Sequence, residues 1–206
     1  KEVKRLGGGG VREINLISQD TINYGVDLGL KRGLTALLRE LVKVKDVRWI
    51  RPFYLYPQHV DDELIDLYAG EEKIAKYIDM PFQHINDTLL TRMHRLGSKA
   101  HITNLVDRLR TRIPGLTFRT AFIVGFPGET KTQFKELKQF LTDMEFDRMG
   151  VFLYSDEDGT AAAGLPNQRE RAVMEERQAE LLKVQESISL KRSRRFADSR
   201  SARQRR

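Results

Sequence analysis

Residues 118–130 read FRTAFIVGFPGET, an apolar run that enters two glycines, a proline and an acid. Aromatic and β-branched side chains up to Val124 predict a strand over 117–124. Beyond it, Gly125 permits close backbone approach, Pro127 stiffens a turn and Gly128 opens it. Glu129 then falls at the start of the next helix, where the helix dipole favours a carboxylate. The loop lacks the Gly-Lys-Ser/Thr of a Walker phosphate loop and the Gly-x-Gly-x-x-Gly of a dinucleotide fold. On these residues alone two readings stay open: a well-made turn with no chemistry, or one wall of a cofactor site.

Working outward, the same strand-then-helix alternation recurs along the chain. Further strands are predicted over 11–18, 47–52, 76–80 and 148–154. Between the first two, Leu34, Leu37, Leu38, Leu41 and Val42 share one helical face. Helices are also predicted over 61–68, 87–96 behind an Asn86 cap, 100–113, 132–144 and 168–195, the last with Met174, Leu181, Gln185 and Ile188 along one side. Strands separated by helices need crossover connections and hence a parallel sheet. Five such units are too few for a closed eight-fold barrel, so the fold class is α/β, an open or partial (β/α) barrel or a doubly wound sheet.

In parallel β/α folds the ligand lies at the carboxyl ends of the strands. Four of the five exits carry polar groups: Ser18-Gln19-Asp20-Thr21, Pro81-Phe82-Gln83-His84, Gly125 to Glu129, and Tyr154-Ser155-Asp156. The exit after 47–52 is aromatic, Phe53-Tyr54-Leu55-Tyr56, and suits a cavity wall. Gln83 and His84 can equally cap the following helix. His59, His94 and His101 have no partner at helical metal-binding spacing, and no serine sits in a nucleophile elbow.

Composition narrows the classes. The chain has 206 residues, 40% apolar and 32% charged, with a formal net charge of +7. That excess is a tail, because 191–206 holds eight basic residues and one acid while the first 190 residues are balanced. The tail is a candidate RNA contact or a solvated end. With no run of about 18 apolar residues and no signal-peptide pattern, a cytoplasmic, membrane-free monomer is expected. There is no cysteine, hence no thiolate for zinc or an iron–sulfur centre within these residues. Gly7 to Gly10 reads as a flexible joint that weakens any helix over 1–6.

Taken in order, INLISQDTINYGVDL, YIDMPFQHI, FRTAFIVGFPGET and FDRMGVFLYSDEDGTAAAGLP resemble the radical S-adenosylmethionine (SAM) core of the methylthiotransferases. The resemblance spans 11–190 and leans to the branch that methylthiolates an aspartate of a small-subunit ribosomal protein. The tRNA-modifying branch, or a non-catalytic module binding SAM or a ribosomal protein, are the alternatives. It implies a partial (β/α) barrel of radical SAM type, with SAM across the strand ends and a [4Fe–4S] cluster that cleaves it to start radical chemistry. By motif position, Gln19 and Asp20 would lie near the methionine moiety. Gln83, His84 and Arg119 would lie near the ribose and carboxylate, Gly125, Phe126, Gly128 and Glu129 beside the adenosyl group, and Tyr154 and Ser155 at the adenine. The family's Cys-x3-Cys-x2-Cys loop and first β/α unit would fall upstream of Lys1, leaving this chain a core without cluster ligands and inactive alone. On this reading 1–10 is a glycine-rich lead-in, 11–190 the core, and 191–206 a basic tail that could begin a truncated TRAM domain.

Overall fold

The computed structural model describes residues 1–157, 159–160 and 162–204, with 195–204 followed by backbone alone. Asp158 and Ala161, from the last quoted motif, and Arg205 and Arg206 of the tail lie outside the described residues. The chain forms two compact units, Lys1–Pro81 with Ala100–Phe118, and Phe82–Lys99 with Arg119–Arg206. No described helix is long and apolar enough to cross a membrane.

In the first unit β1 (Glu13–Leu16) and β2 (Trp49–Pro52) pair in parallel, with Ile14 opposite Ile50. Both isoleucines are buried. Between them α2 (Gly33–Leu41) turns Leu34, Leu38 and Leu41 inward, the stripe that the spacing predicts. Helix α3 (Asp62–Gly70) starts where the Asp61 carboxylate accepts the Leu64 amide at 2.9 Å. Its end is held by Lys76, whose ammonium donates to the carbonyls of Tyr68, Ala69 and Glu71. β3 (Tyr77–Asp79) follows, and α5 (Lys99–Arg112) buries Ile102, Leu105, Val106 and Leu109. β4 (Thr117–Val124) has the predicted bounds. Its first amide, on Thr117, donates to the Lys76 carbonyl.

The glycine run departs from the expected joint. A helix α1 (Glu2–Gly8) continues through Gly7 and Gly8, and it closes with the Gly9 amide donating to the Arg5 carbonyl and the Gly10 amide to the Gly7 carbonyl. Gly7 is buried, and a Cβ there would stand 3.0 Å from Asp46 Cβ. The missing side chain lets the helix approach residue 46, and that packing outweighs glycine's helix penalty of about 1 kcal/mol.

The second unit is built on the rest of β4 and β5 (Arg148–Leu153), parallel and in register from Arg119 opposite Arg148 to Val124 opposite Leu153. Four phenylalanines, Phe82, Phe122, Phe140 and Phe146, form its centre with ring separations of 5.9 to 6.4 Å. α4 (Asp87–Arg92) carries the expected Asn86 cap but ends before residue 96, where His94 and Gly97 take positive φ. α6 (Lys131–Met144) opens on a reciprocal Thr130–Gln133 capping box. α7 (Arg171–Gln204) runs past the predicted end at 195 and turns Leu181 and Ile188 inward. Two of its glutamines reach back to the chain, Gln178 to the Val151 carbonyl at 2.7 Å and Gln185 to that of Phe146 at 2.9 Å.

Candidate functional site

The second unit gathers three of the four polar strand exits around the end of β4. Gln83 takes φ 70°, its amide donates to Ala121 and its carbonyl accepts from Ile123, so it extends the sheet beside Phe122. This fixes the direction of the next residue, His84, which is fully buried. His84 Nδ1 accepts the Asn86 amide at 2.9 Å. In the neutral ring the proton therefore sits on Nε2, 3.4 Å from Glu129 Oε1, where it can donate.

Glu129 is also fully buried. Its Oε2 accepts from the Gly125 amide at 2.6 Å and from Arg177 Nη1 at 2.6 Å. Burial pushes the Glu129 carboxyl up, but the His84 hydrogen bond, the Gly125 amide and the charges of His84 and Arg177 outweigh it and hold it below its ordinary range. Arg177 lies 5.3 Å over the Phe134 ring and is 7% exposed. The acid read from sequence as a helix-starting carboxylate is thus the hub of a buried clamp. It joins the exit after β3, the turn after β4, and α7.

The turn's two glycines each admit a neighbour. At Gly125, φ is 81°, and a Cβ would lie 2.2 Å from Met174 Cγ, so the group that approaches this backbone is a side chain of α7. At Gly128, φ is also 81°, and a Cβ would lie 2.5 Å from Arg92 Nη1. Arg92 in turn places its guanidinium 5.6 Å over Phe126.

Beside the turn is a cavity of about 320 Å³, bordered by Gln83, Ile123, Phe126 and Tyr154 and by the segment Arg92–Arg95. Phe126 and Tyr154 meet edge to face at 5.4 Å, a stiff aromatic wall. Of the residues singled out from sequence, Gln83, Phe126 and Tyr154 border this cavity, while His84, Gly125 and Glu129 form the clamp behind it. Ser155 is turned to Glu157 at 3.1 Å, and Arg119 sits at the opposite end of β4 from Phe126. Gln19 and Asp20 belong to the first unit, where Gln19 is exposed and Asp20 accepts from Asn23 at 2.5 Å. Sequence reading missed Arg92 and Arg177, and placed Met174 on a helix face without a part in the site. For Arg177 a signal existed: it falls three residues after Met174 and four before Leu181, on the apolar stripe of α7, where a charge must be buried. Among the described residues no group of three or more His, Asp or Glu side chains could hold a metal ion.

The model of the radical SAM superfamily matches residues 1–141. Among curated proteins, the ribosomal protein uS12 methylthiotransferase RimO of Trichlorobacter lovleyi is 48% identical over 193 residues, covering 94% of this chain and 43% of that protein. RimO of Clostridium botulinum (strain Loch Maree) is 46% identical over 189 residues, covering 92% and 42%. The chain thus spans less than half the length of the curated relatives it matches. Among solved structures, Elp3 of Methanocaldococcus infernus aligns with a TM-score of 0.60 at 16% identity over 91% of this chain and 47% of its own. The methyltransferase TsrM of Kitasatospora setae, solved with cobalamin and a [4Fe-4S] cluster, aligns at 0.58 and 19% over 74% and 29%. At these identities the likeness shows the fold, the α/β core of radical SAM type.

Proposed function

We propose, from the premise that this chain belongs to the radical SAM superfamily, that it is the catalytic core of a SAM-dependent, iron–sulfur methylthiotransferase acting on an aspartate of a small-subunit ribosomal protein. The observation that carries the reading is the 48% identity to a uS12 methylthiotransferase along 94% of the chain. It favours the ribosomal-protein branch over the tRNA branch.

The cavity suits the adenosyl end of SAM. Its wall of Ile123, Phe126 and Tyr154 offers apolar and aromatic faces to a flat heterocycle, and Gln83 and Arg92 stand on its border as polar groups. Gln83, Phe126 and Tyr154 would therefore hold SAM. When bound, SAM supplies the methyl group and the hydrogen-abstracting fragment. The chain's own contribution is positioning: Glu129, fixed by Arg177 and His84, holds the Gly125 amide and so sets the direction of Phe126. The residues present do not fit a [4Fe–4S] cluster, because the chain has no cysteine. The cluster ligands would belong to a longer parent.

The test is to express the parent gene product anaerobically, assay iron and sulfide, and look by mass spectrometry for a methylthio group on the ribosomal protein. A methylthiolated aspartate is expected. A modified tRNA with unmodified ribosomal protein would reassign the branch. Failure of SAM to bind this chain in calorimetry, with binding also lost in the parent carrying Phe126→Ala, would locate the failure in the cavity.

A further inference from the structure

The second unit leaves one face of its sheet open. Side chains alternate across a strand, and one set on β4 and β5, with Thr120, Phe122, Val124 and Val151, is buried. The other set stands in three registered pairs: Arg119 with Arg148, Ala121 with Gly150, and Ile123 with Phe152. The middle pair is a shallow floor, since neither residue carries more than a methyl group. Phe152 lies along that floor: a Cβ on Gly150 would stand 3.1 Å from Phe152 Cε2, so glycine is what admits the ring. The ring is nonetheless 55% exposed. Ile123, at the same end, borders the cavity beside the turn, so the open face runs from the two arginines to the edge of that cavity.

Folding explains neither end of this face. Arg119 is engaged within the chain. Arg148, directly opposite, is exposed, and its guanidinium has no hydrogen-bond or ion-pair partner among the described residues. Like charges directly opposite weaken a strand pair, so Arg148 does not serve the ladder. At the other end, an exposed phenylalanine on an open sheet adds little to the core, whereas covering it with a partner would remove apolar area from water. Arginine and aromatic side chains are the groups that protein–protein contacts enrich. The cationic end selects an acid, and a planar guanidinium can hold a carboxylate by two parallel hydrogen bonds. A nucleic-acid strand fits less well, because tracking its backbone takes a groove of positive charge and this face carries its charge at one end only.

We propose that this face holds the segment of the protein substrate that carries the target aspartate, its carboxylate on Arg148 and a neighbouring apolar side chain on Phe152. The identity of that segment rests on the methylthiotransferase reading. The test measures, by fluorescence anisotropy, how this chain binds a labelled peptide of the ribosomal protein spanning the aspartate, and the same peptide with asparagine in its place. The aspartate peptide should bind saturably, and the asparagine peptide about tenfold or more weakly, the loss expected for hydrogen bonds to a charged acceptor. Arg148→Met should weaken the aspartate peptide by a similar factor and leave the asparagine peptide unchanged, so that the two losses do not add. Arg148→Lys should keep part of the binding, and Phe152→Ala should weaken both peptides alike. Because Arg148 has no partner within the described chain, Arg148→Met should leave the thermal midpoint and SAM binding as they are. In the anaerobic parent it should raise KM for the ribosomal protein more than it lowers kcat. Equal binding of the two peptides, additive losses, or an RNA oligomer that binds as tightly and is weakened as much by Arg148→Met overturns the proposal. A parent that modifies nothing while the aspartate peptide still binds through Arg148 defeats the enzymatic reading alone, and an active parent whose KM is unmoved by Arg148→Met defeats this one alone.

Discussion

Replacing Arg177 by methionine tests the clamp behind the cavity. Methionine keeps the length of the side chain and an apolar contact with Phe134, and removes only the charge and its donors. Glu129 would then remain fully buried with the Gly125 amide and His84 as partners. Removing one member of a buried ion pair costs about 3–5 kcal/mol, because the other charge stays desolvated. In a domain of this size about 1 kcal/mol moves the midpoint by roughly 2–4 °C, so the thermal transition should fall by roughly 6–20 °C. Glu129→Gln alone should also destabilise, leaving Arg177 buried without its anion. The double variant, lacking both charges, should lose less than the sum of the two, which urea unfolding followed by circular dichroism would measure as a coupling energy. A loss below about 1 kcal/mol for Arg177→Met, the range of exposed pairs, would refute the reasoning. So would strict additivity.

The same clamp sets an acid limit. Glu129 has a folded-state pKa below its ordinary value of 4.5, so as pH falls the unfolded chain takes up the proton first. Its stabilisation is complete above that ordinary value and is lost as pH falls below it through the depressed folded value; Glu129→Gln should flatten the stability curve there. Gly125→Ala should destabilise by about 1–3 kcal/mol from its positive φ alone, and more from the clash with Met174, with the second part relieved in Gly125→Ala/Met174→Ala. Gly33→Ala meets a backbone oxygen and not a flexible side chain, so its loss, about 3 kcal/mol or more by the same unfolding assay, should resist rescue by any side-chain change nearby. Asn86→Ala should cost about 1 kcal/mol through the lost α4 cap.

Periodicity and punctuation carried much of the fold. The bounds of β4 follow from its apolar run and the glycine after it, and the Asn86 cap from its position before an apolar stripe. Short-range signals failed where tertiary packing decides. The α1 helix persists through glycines because residue 46 sits against it, a contact that no local pattern encodes. The candidate site divided in the same way. Gln83, Phe126 and Tyr154 were legible because strand exits in this architecture face a cavity. Glu129 was legible as a residue but not as a hub, since its partner Arg177 lies 48 positions away. That partner could have been found only by asking why a charge interrupts an apolar stripe.

The polar contacts of α7 have a consequence for which length changes the chain can tolerate. Arg177, Gln178 and Gln185 each reach a fixed point outside the helix: the Glu129 carboxylate, the Val151 carbonyl and the Phe146 carbonyl. One residue inserted between Gln178 and Gln185 would turn everything beyond it by about 100° and advance it by about 1.5 Å. No rigid shift of the helix could then satisfy all three anchors. A deletion there would do the same in the opposite sense, whereas an insertion after Ile188 would leave the three untouched. The helix therefore acts as a ruler over 177–185, and relatives of this chain should vary in length outside that interval and not within it.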